Sequence, residues 1–129
     1  MQHKIAITGI NGFVGKKLAE KLKSHAIFGL SRSAGTTVMG DITQKEAVEE
    51  LFAHSPDILV HLAAASEGST KDLFDANVTG TMTVFSNLPS SVKKAIFFSS
   101  YAAYGSASVE HYEEDALLPD TEYGLTKAI

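Results

Sequence analysis

Thr8-Gly9-Ile10-Asn11-Gly12-Phe13-Val14-Gly15 lies between an apolar run at residues 4–8 and an amphipathic run at residues 13–24. Its three glycines, spaced G-x-x-G-x-x-G, join a strand to a helix, where a tight turn and a close backbone approach are needed. Phe13, Val14, Leu18 and Leu22 recur at helical spacing with lysines between them. A helix there points its free N–H groups and the positive end of its dipole back at the loop, which makes an anion site. The stretch is suited to hold a pyrophosphate, and it sets the chain in an α/β frame.

Working outward, short apolar runs alternate with longer amphipathic ones. Strands are expected at residues 26–30, 37–39, 58–63 and 95–99. A helix is expected over 43–53, opened by a capping box of Thr43 and Glu46. Another is expected over 73–88, where Leu73, Phe74, Val78, Met82, Phe85 and Leu88 form a stripe that Pro89 ends. Residues 105–120 are polar and acidic and read as a loop, and a new helix begins near Thr121. Strands apolar on both faces, separated by helices, mean a parallel sheet covered on both sides. The fold class is a doubly wound α/β sheet of the Rossmann type, strand order 3-2-1-4-5.

Composition narrows the function. The chain has 129 residues, 44% hydrophobic and 20% charged, which fits one globular domain. A net charge of −4 gives no basic field for nucleic acid or an anionic membrane. There are no cysteines, so thiolate catalysis, disulfides and cysteine-ligated zinc are excluded. No apolar run reaches the roughly 20 residues that span a bilayer. A cytoplasmic location fits these features, and no metal site is expected.

A second motif stands near the other end. In Tyr123-Gly124-Leu125-Thr126-Lys127 a phenol and an ammonium share one helix face at i and i+4. A nearby cation favours a phenolate, as general acid–base work by tyrosine requires. Phe97-Phe98-Ser99-Ser100-Tyr101 leaves the fifth strand, so its hydroxyls stand where α/β sheets bind ligands. His61, inside an apolar strand with no second histidine or carboxylate at ligand spacing, reads as a satisfied core residue.

With Thr8-Gly9-x-x-Gly12-Phe13-x-Gly15 at one end and Tyr123-x-x-x-Lys127 at the other, the chain resembles the short-chain dehydrogenase/reductase superfamily. It is most similar to the extended branch of nucleotide-sugar epimerases, dehydratases and reductases, over essentially its whole length. The resemblance implies a nicotinamide dinucleotide held by Gly9, Asn11, Gly12, Phe13, Val14 and Gly15. Asp41 and Ile42 would lie at the adenine. Leu62, Ala63 and Ala64 would lie at the ribose and pyrophosphate. Ser100, four residues before Tyr104-Gly105, would hydrogen-bond the substrate oxygen. Tyr123 would pass a proton, Lys127 would hold the nicotinamide ribose, and Asn77 would help shape the active site. Where an acidic residue commonly meets the ribose 2′-hydroxyl, this chain has Ser31-Arg32-Ser33. Arg32 could grip a 2′-phosphate that a carboxylate would repel, so NADP is expected over NAD.

Extended relatives are about twice this length or more. The expectation is therefore an incomplete cofactor-binding domain over residues 1–129, truncated after its fifth strand, whose last turn of helix frays and whose apolar faces are left bare. The parent would act on a sugar nucleotide or similar hydroxyl or carbonyl compound as an epimerase, dehydratase or reductase, with homodimerisation open to it. An NADP-sensing module without chemistry is the competing class, and a reductase of non-sugar carbonyls is a third.

Overall fold

The computed structural model describes residues 1–129. In chain order it contains β1 (Lys4–Thr8), α1 (Phe13–Lys21), β2 (Ala26–Ser31), β3 (Val38–Met39), α2 (Lys45–Phe52) and β4 (Ile58–His61). Then come α3 (Thr70–Phe74), a π-helical turn (Asp75–Thr79), α4 (Gly80–Ser86), β5 (Lys94–Phe97), a 3₁₀ turn (Tyr101–Tyr104) and α5 (Glu122–Ala128). The strands form one parallel sheet in the expected order, β3-β2-β1-β4-β5. Thr8 pairs in register with Leu30 on one side and His61 on the other. The carboxyl ends of the three inner strands are therefore level, and the loops leaving them converge.

The apolar alternation divides along the sheet. Ala6, Leu30, Val38 and Leu59 pack on one face with Ala47, Val48, Leu51 and Phe52 of α2 and with Val84 of α4. Ile5, Ile7 and Val60 face the other way, with Leu18 and Leu22 of the α1 region packed on them. Each strand residue buried in this way withdraws apolar surface from water at about 25 cal/mol per Å². The sheet is covered on both faces at its centre. It is not covered at β5, all four of whose residues are exposed, so the bare apolar faces expected from the sequence are present there. Lys93 precedes this edge strand and Lys94 opens it, a common guard against edge-to-edge pairing.

Several local expectations are corrected. The capping box of Thr43 and Glu46 does not form. Gln44 occupies the cap of α2 without a side-chain bond, and the Thr43 hydroxyl instead donates to Asp41 Oδ1 at 2.8 Å. The aspartate two residues upstream closes an Asx turn and takes the hydroxyl first. The reciprocal box forms at Ser69 and Asp72, opening α3. The stripe expected over 73–88 runs through α3, the π-helical turn and α4, so it starts earlier and carries one wide turn at Asn77. The last helix does not hang free. Thr121 caps it by accepting from the Gly124 amide at 2.9 Å, and Gly124, Thr126 and Lys127 are buried.

Candidate cofactor cleft and catalytic cluster

A cleft of about 360 Å³ opens where the ends of β1, β2 and β4 converge, a volume within the range of small-molecule sites. Gly9, Asn11, Gly12, Ser31, Arg32, Asp41, Ile42, Leu62, Ala63 and Ala64 line it, together with Leu30, Ser33, Gly40, Ala65 and Ala76. Gly9 has φ +71°, and a Cβ there would lie 2.8 Å from the Ala63 backbone nitrogen. Only glycine lets the two walls approach so closely. Phe13 and Val14 stand at the N-terminus of α1 with exposed side chains, and Gly15 is buried one residue further on. These three do not line the cleft through their side chains.

The far wall is preformed. Asn11 Nδ2 donates to Ser33 Oγ at 2.9 Å and to the Ala34 carbonyl at 3.2 Å. Ser31 and Ser33 hydroxyls lie 3.0 Å apart. Arg32, between them in sequence, is exposed and outside every ion pair of the chain. Asp41 lines the same wall, but its Oδ1 accepts from the Thr43 amide at 2.9 Å as well as from the Thr43 hydroxyl. One carboxylate oxygen is thus committed to the turn.

The expected catalytic residues lie outside that cleft, on the π-helical turn, at the cap of the 3₁₀ turn and on α5, and both turns pack against α5. The Asn77 side chain accepts from the Ala65 amide and donates to the Ala65 carbonyl, both at 2.7 Å. It also donates to Thr126 Oγ1 at 3.0 Å, and Thr126 Oγ1 donates to the Tyr123 carbonyl at 2.6 Å. Asn77 therefore ties the loop after β4 to α5. The wide π turn is what carries it, in keeping with the placement of such turns at functional sites. Ser100 caps the 3₁₀ turn by accepting from the Ala102 amide at 3.1 Å, which leaves its own proton free to donate. Gly124 abuts the Ala102 carbonyl, so α5 sits against the turn that Ser100 opens.

Lys127 Nζ donates to the Phe98 carbonyl at 3.1 Å and lies 4.9 Å from the centre of the Phe97 ring. Burial holds its pKa below the ordinary lysine value. Tyr123 is half-buried on the same helix. His61 is satisfied at both nitrogens, by Thr8 Oγ1 at 2.6 Å and Thr81 Oγ1 at 2.9 Å. Burial first, and Lys127 second, push its pKa down to about 4. Sequence reasoning missed Thr126, Thr81 and the cleft residues Leu30, Gly40, Ala65 and Ala76. No periodicity marks a hydroxyl that turns inward from a helix, although Thr126 sits inside the quoted motif.

Residues 5–129 match the family described as the NAD dependent epimerase/dehydratase family. A UDP-glucose 4-epimerase of Rhizobium meliloti is 36% identical over 103 residues, covering 74% of this chain and 31% of the relative. A short-chain dehydrogenase/reductase superfamily protein from Agrobacterium tumefaciens, solved with bound NAD, superposes with a TM-score of 0.88 at 25% identity, over 98% of this chain and 42% of that one. The Bordetella bronchiseptica enzyme WbmG, solved with NAD and UDP, also gives 0.88 at 25% identity, over 98% of this chain and 47% of that one. The chain thus spans less than half the length of each.

Proposed function

The chain belongs to the NAD dependent epimerase/dehydratase family, and we propose that it forms the cofactor-binding and proton-transfer portion of an enzyme working on a nucleotide sugar. The single observation that carries this reading is the joint placement of the glycine-lined cleft and the Ser100–Asn77–Lys127 cluster. Both open from the carboxyl edge of one parallel sheet. The cleft fits a dinucleotide on its own evidence: a glycine whose Cβ would strike the opposite wall, the N-cap residue Gly12 of α1 in its lining, and one free cation on its rim.

Gly9 and Gly12, whose amides already donate to the Leu30 and Gly9 carbonyls, would let the pyrophosphate approach the first amides of α1, with Ile42 and Asp41 at the adenine. Arg32, with Ser31 and Ser33, would grip a 2′-phosphate. NADP is therefore preferred and NAD, held by the solved relatives, is the alternative. When bound, the nicotinamide supplies hydride exchange at a hydroxyl or carbonyl carbon. The chain's own groups manage the proton. Ser100 donates a hydrogen bond to the reacting oxygen. Tyr123 gives or takes its proton at the phenolic oxygen. Lys127 places a cation at the end of β5, and Asn77 keeps α5 seated against the loop after β4. The relatives' additional length is where a sugar-nucleotide pocket would be completed.

Tyr123→Phe tests the assignment. Turnover of a UDP-sugar should fall by about a hundredfold or more, within the usual range for losing a general acid–base, with cofactor affinity unchanged. Unaltered turnover would remove Tyr123 from the chemistry. A wild-type protein that binds cofactor but transforms no hydroxyl or carbonyl substrate would instead support a sensing module.

A further inference from the structure

The Thr8 hydroxyl has three polar neighbours. Leu62 N and Ala63 N donate to it at 3.1 and 3.2 Å, the Leu62 amide sharing its proton with the Thr8 carbonyl at 3.2 Å, and His61 Nδ1 lies 2.6 Å away. Amides can only donate, so the single hydroxyl proton must go to Nδ1, which is then the unprotonated nitrogen. The ring proton is left on Nε2, where it is donated to Thr81 Oγ1 at 2.9 Å. A proton on Nδ1 would press a third donor onto an oxygen already accepting two.

The arrangement matters because of where β4 ends. Its last backbone bond to β1 runs from the Leu62 amide to the Thr8 carbonyl at 3.2 Å, and the chain then leaves the sheet. The Ala63 amide finds its acceptor in the Thr8 side chain of the neighbouring strand. The next residue after Thr8 is Gly9, whose missing Cβ lets the Ala63 backbone close in. Beyond that last backbone bond, the two walls of the cleft are linked through one hydroxyl. That hydroxyl is oriented by an imidazole held between Phe85 and Phe97, each with its ring centre 5.9 Å from that of His61. Lys127 is the charged group near this ring, and its ammonium acts against a second positive charge there.

We infer that His61 is a positioning residue of the cleft: its neutral ring, protonated on Nε2, orients the Thr8 hydroxyl to hold the Leu62 and Ala63 amides and so fixes the end of β4 against the glycine loop. The consequence for cofactor affinity rests on the cleft reading above. The local clamp does not.

The test therefore reads both. Nitrogen-15 NMR of the wild type should show an unprotonated Nδ1 and a protonated Nε2. In His61→Phe, which keeps the ring stack, hydrogen exchange at the Ala63 amide should quicken about tenfold, with Ala6 and Ile7 unchanged, and NADPH should bind about tenfold more weakly. His61→Asn, which returns an acceptor close to the Nδ1 position, should recover most of both. Thr8→Val should reproduce His61→Phe and serves in its place if that variant does not fold. A proton on Nδ1 in the wild type, or an Ala63 amide indifferent to both His61→Phe and Thr8→Val, overturns the clamp. A wild type that binds no dinucleotide while Ala63 responds as expected overturns the cofactor reading and supports the clamp.

Discussion

The centre of the sheet and its β5 edge are held by different forces. Around β1, β2 and β4, the backbone that shapes the cleft rests on side chains withdrawn from water, with Ala6, Ile7, Leu30 and Leu59 at 0 or 1% exposure. At β5 the strand is bare, with Ile96 41% and Phe97 39% exposed. The proposed catalytic cluster beside it is located by directional bonds from Asn77, Thr126 and Lys127. Burial sets the stability of the first region. Hydrogen-bond geometry sets the alignment of the second, with little apolar cover to restore it once broken.

That contrast can be broken or sharpened by graded perturbations. The largest effect is expected from Leu59→Ala, which empties a fully buried site between β4 and the α2 face. It should cost about 3–4 kcal/mol, read by denaturant unfolding. Acid comes next. His61 is neutral when folded, with its pKa lowered from the ordinary 6.5 to about 4. The unfolded chain binds a proton in that window that the folded chain refuses, so stability is intact above pH 6.5 and falls toward pH 4. The loss is on the order of 3 kcal/mol, and His61→Phe should abolish this part of the slope.

Asn77→Ala should cost about 2 kcal/mol, because it leaves the Ala65 amide and carbonyl unpaired. Its signature is local: α5 amides exchange faster while those of β1 hold. If β1 loosened as much as α5, the two regions would not be separable. Ile96→Thr on exposed β5 should change stability by less than about 0.5 kcal/mol. A loss as large as that of Leu59→Ala would mean that β5 belongs to the buried region after all.

The sequence exposes the first region better than the second, for a physical reason. Burial leaves a periodic trace, and a glycine loop between a strand and a helix has few other uses, so the sheet order and ten of the expected cofactor contacts match the cleft lining. Side-chain hydrogen bonds leave no such trace. Thr43 looks like a cap but serves Asp41, and Thr126 looks like helix filler but links Asn77 to α5. The docking of α5 was also illegible. A seven-residue helix is too short to persist on its own, and the bonds from Asn77 and Lys127 with the close fit of Gly124 against Ala102 show how it is held. His61 was read correctly as satisfied, but its partners, one on β1 and one on α4, are 53 and 20 residues away in sequence.

The central claim is that the cleft between the glycine loop and the Ser31–Arg32–Ser33 wall is a dinucleotide site that favours a 2′-phosphate. Calorimetric titration of the folded chain with NADPH and NADH tests it most directly. The account predicts saturable one-site binding, tighter for NADPH, with the preference lost in Arg32→Ala and all binding lost in Gly9→Val. Equal or tighter binding of NADH would contradict the role given to Arg32, and no saturable binding of either would contradict the site itself.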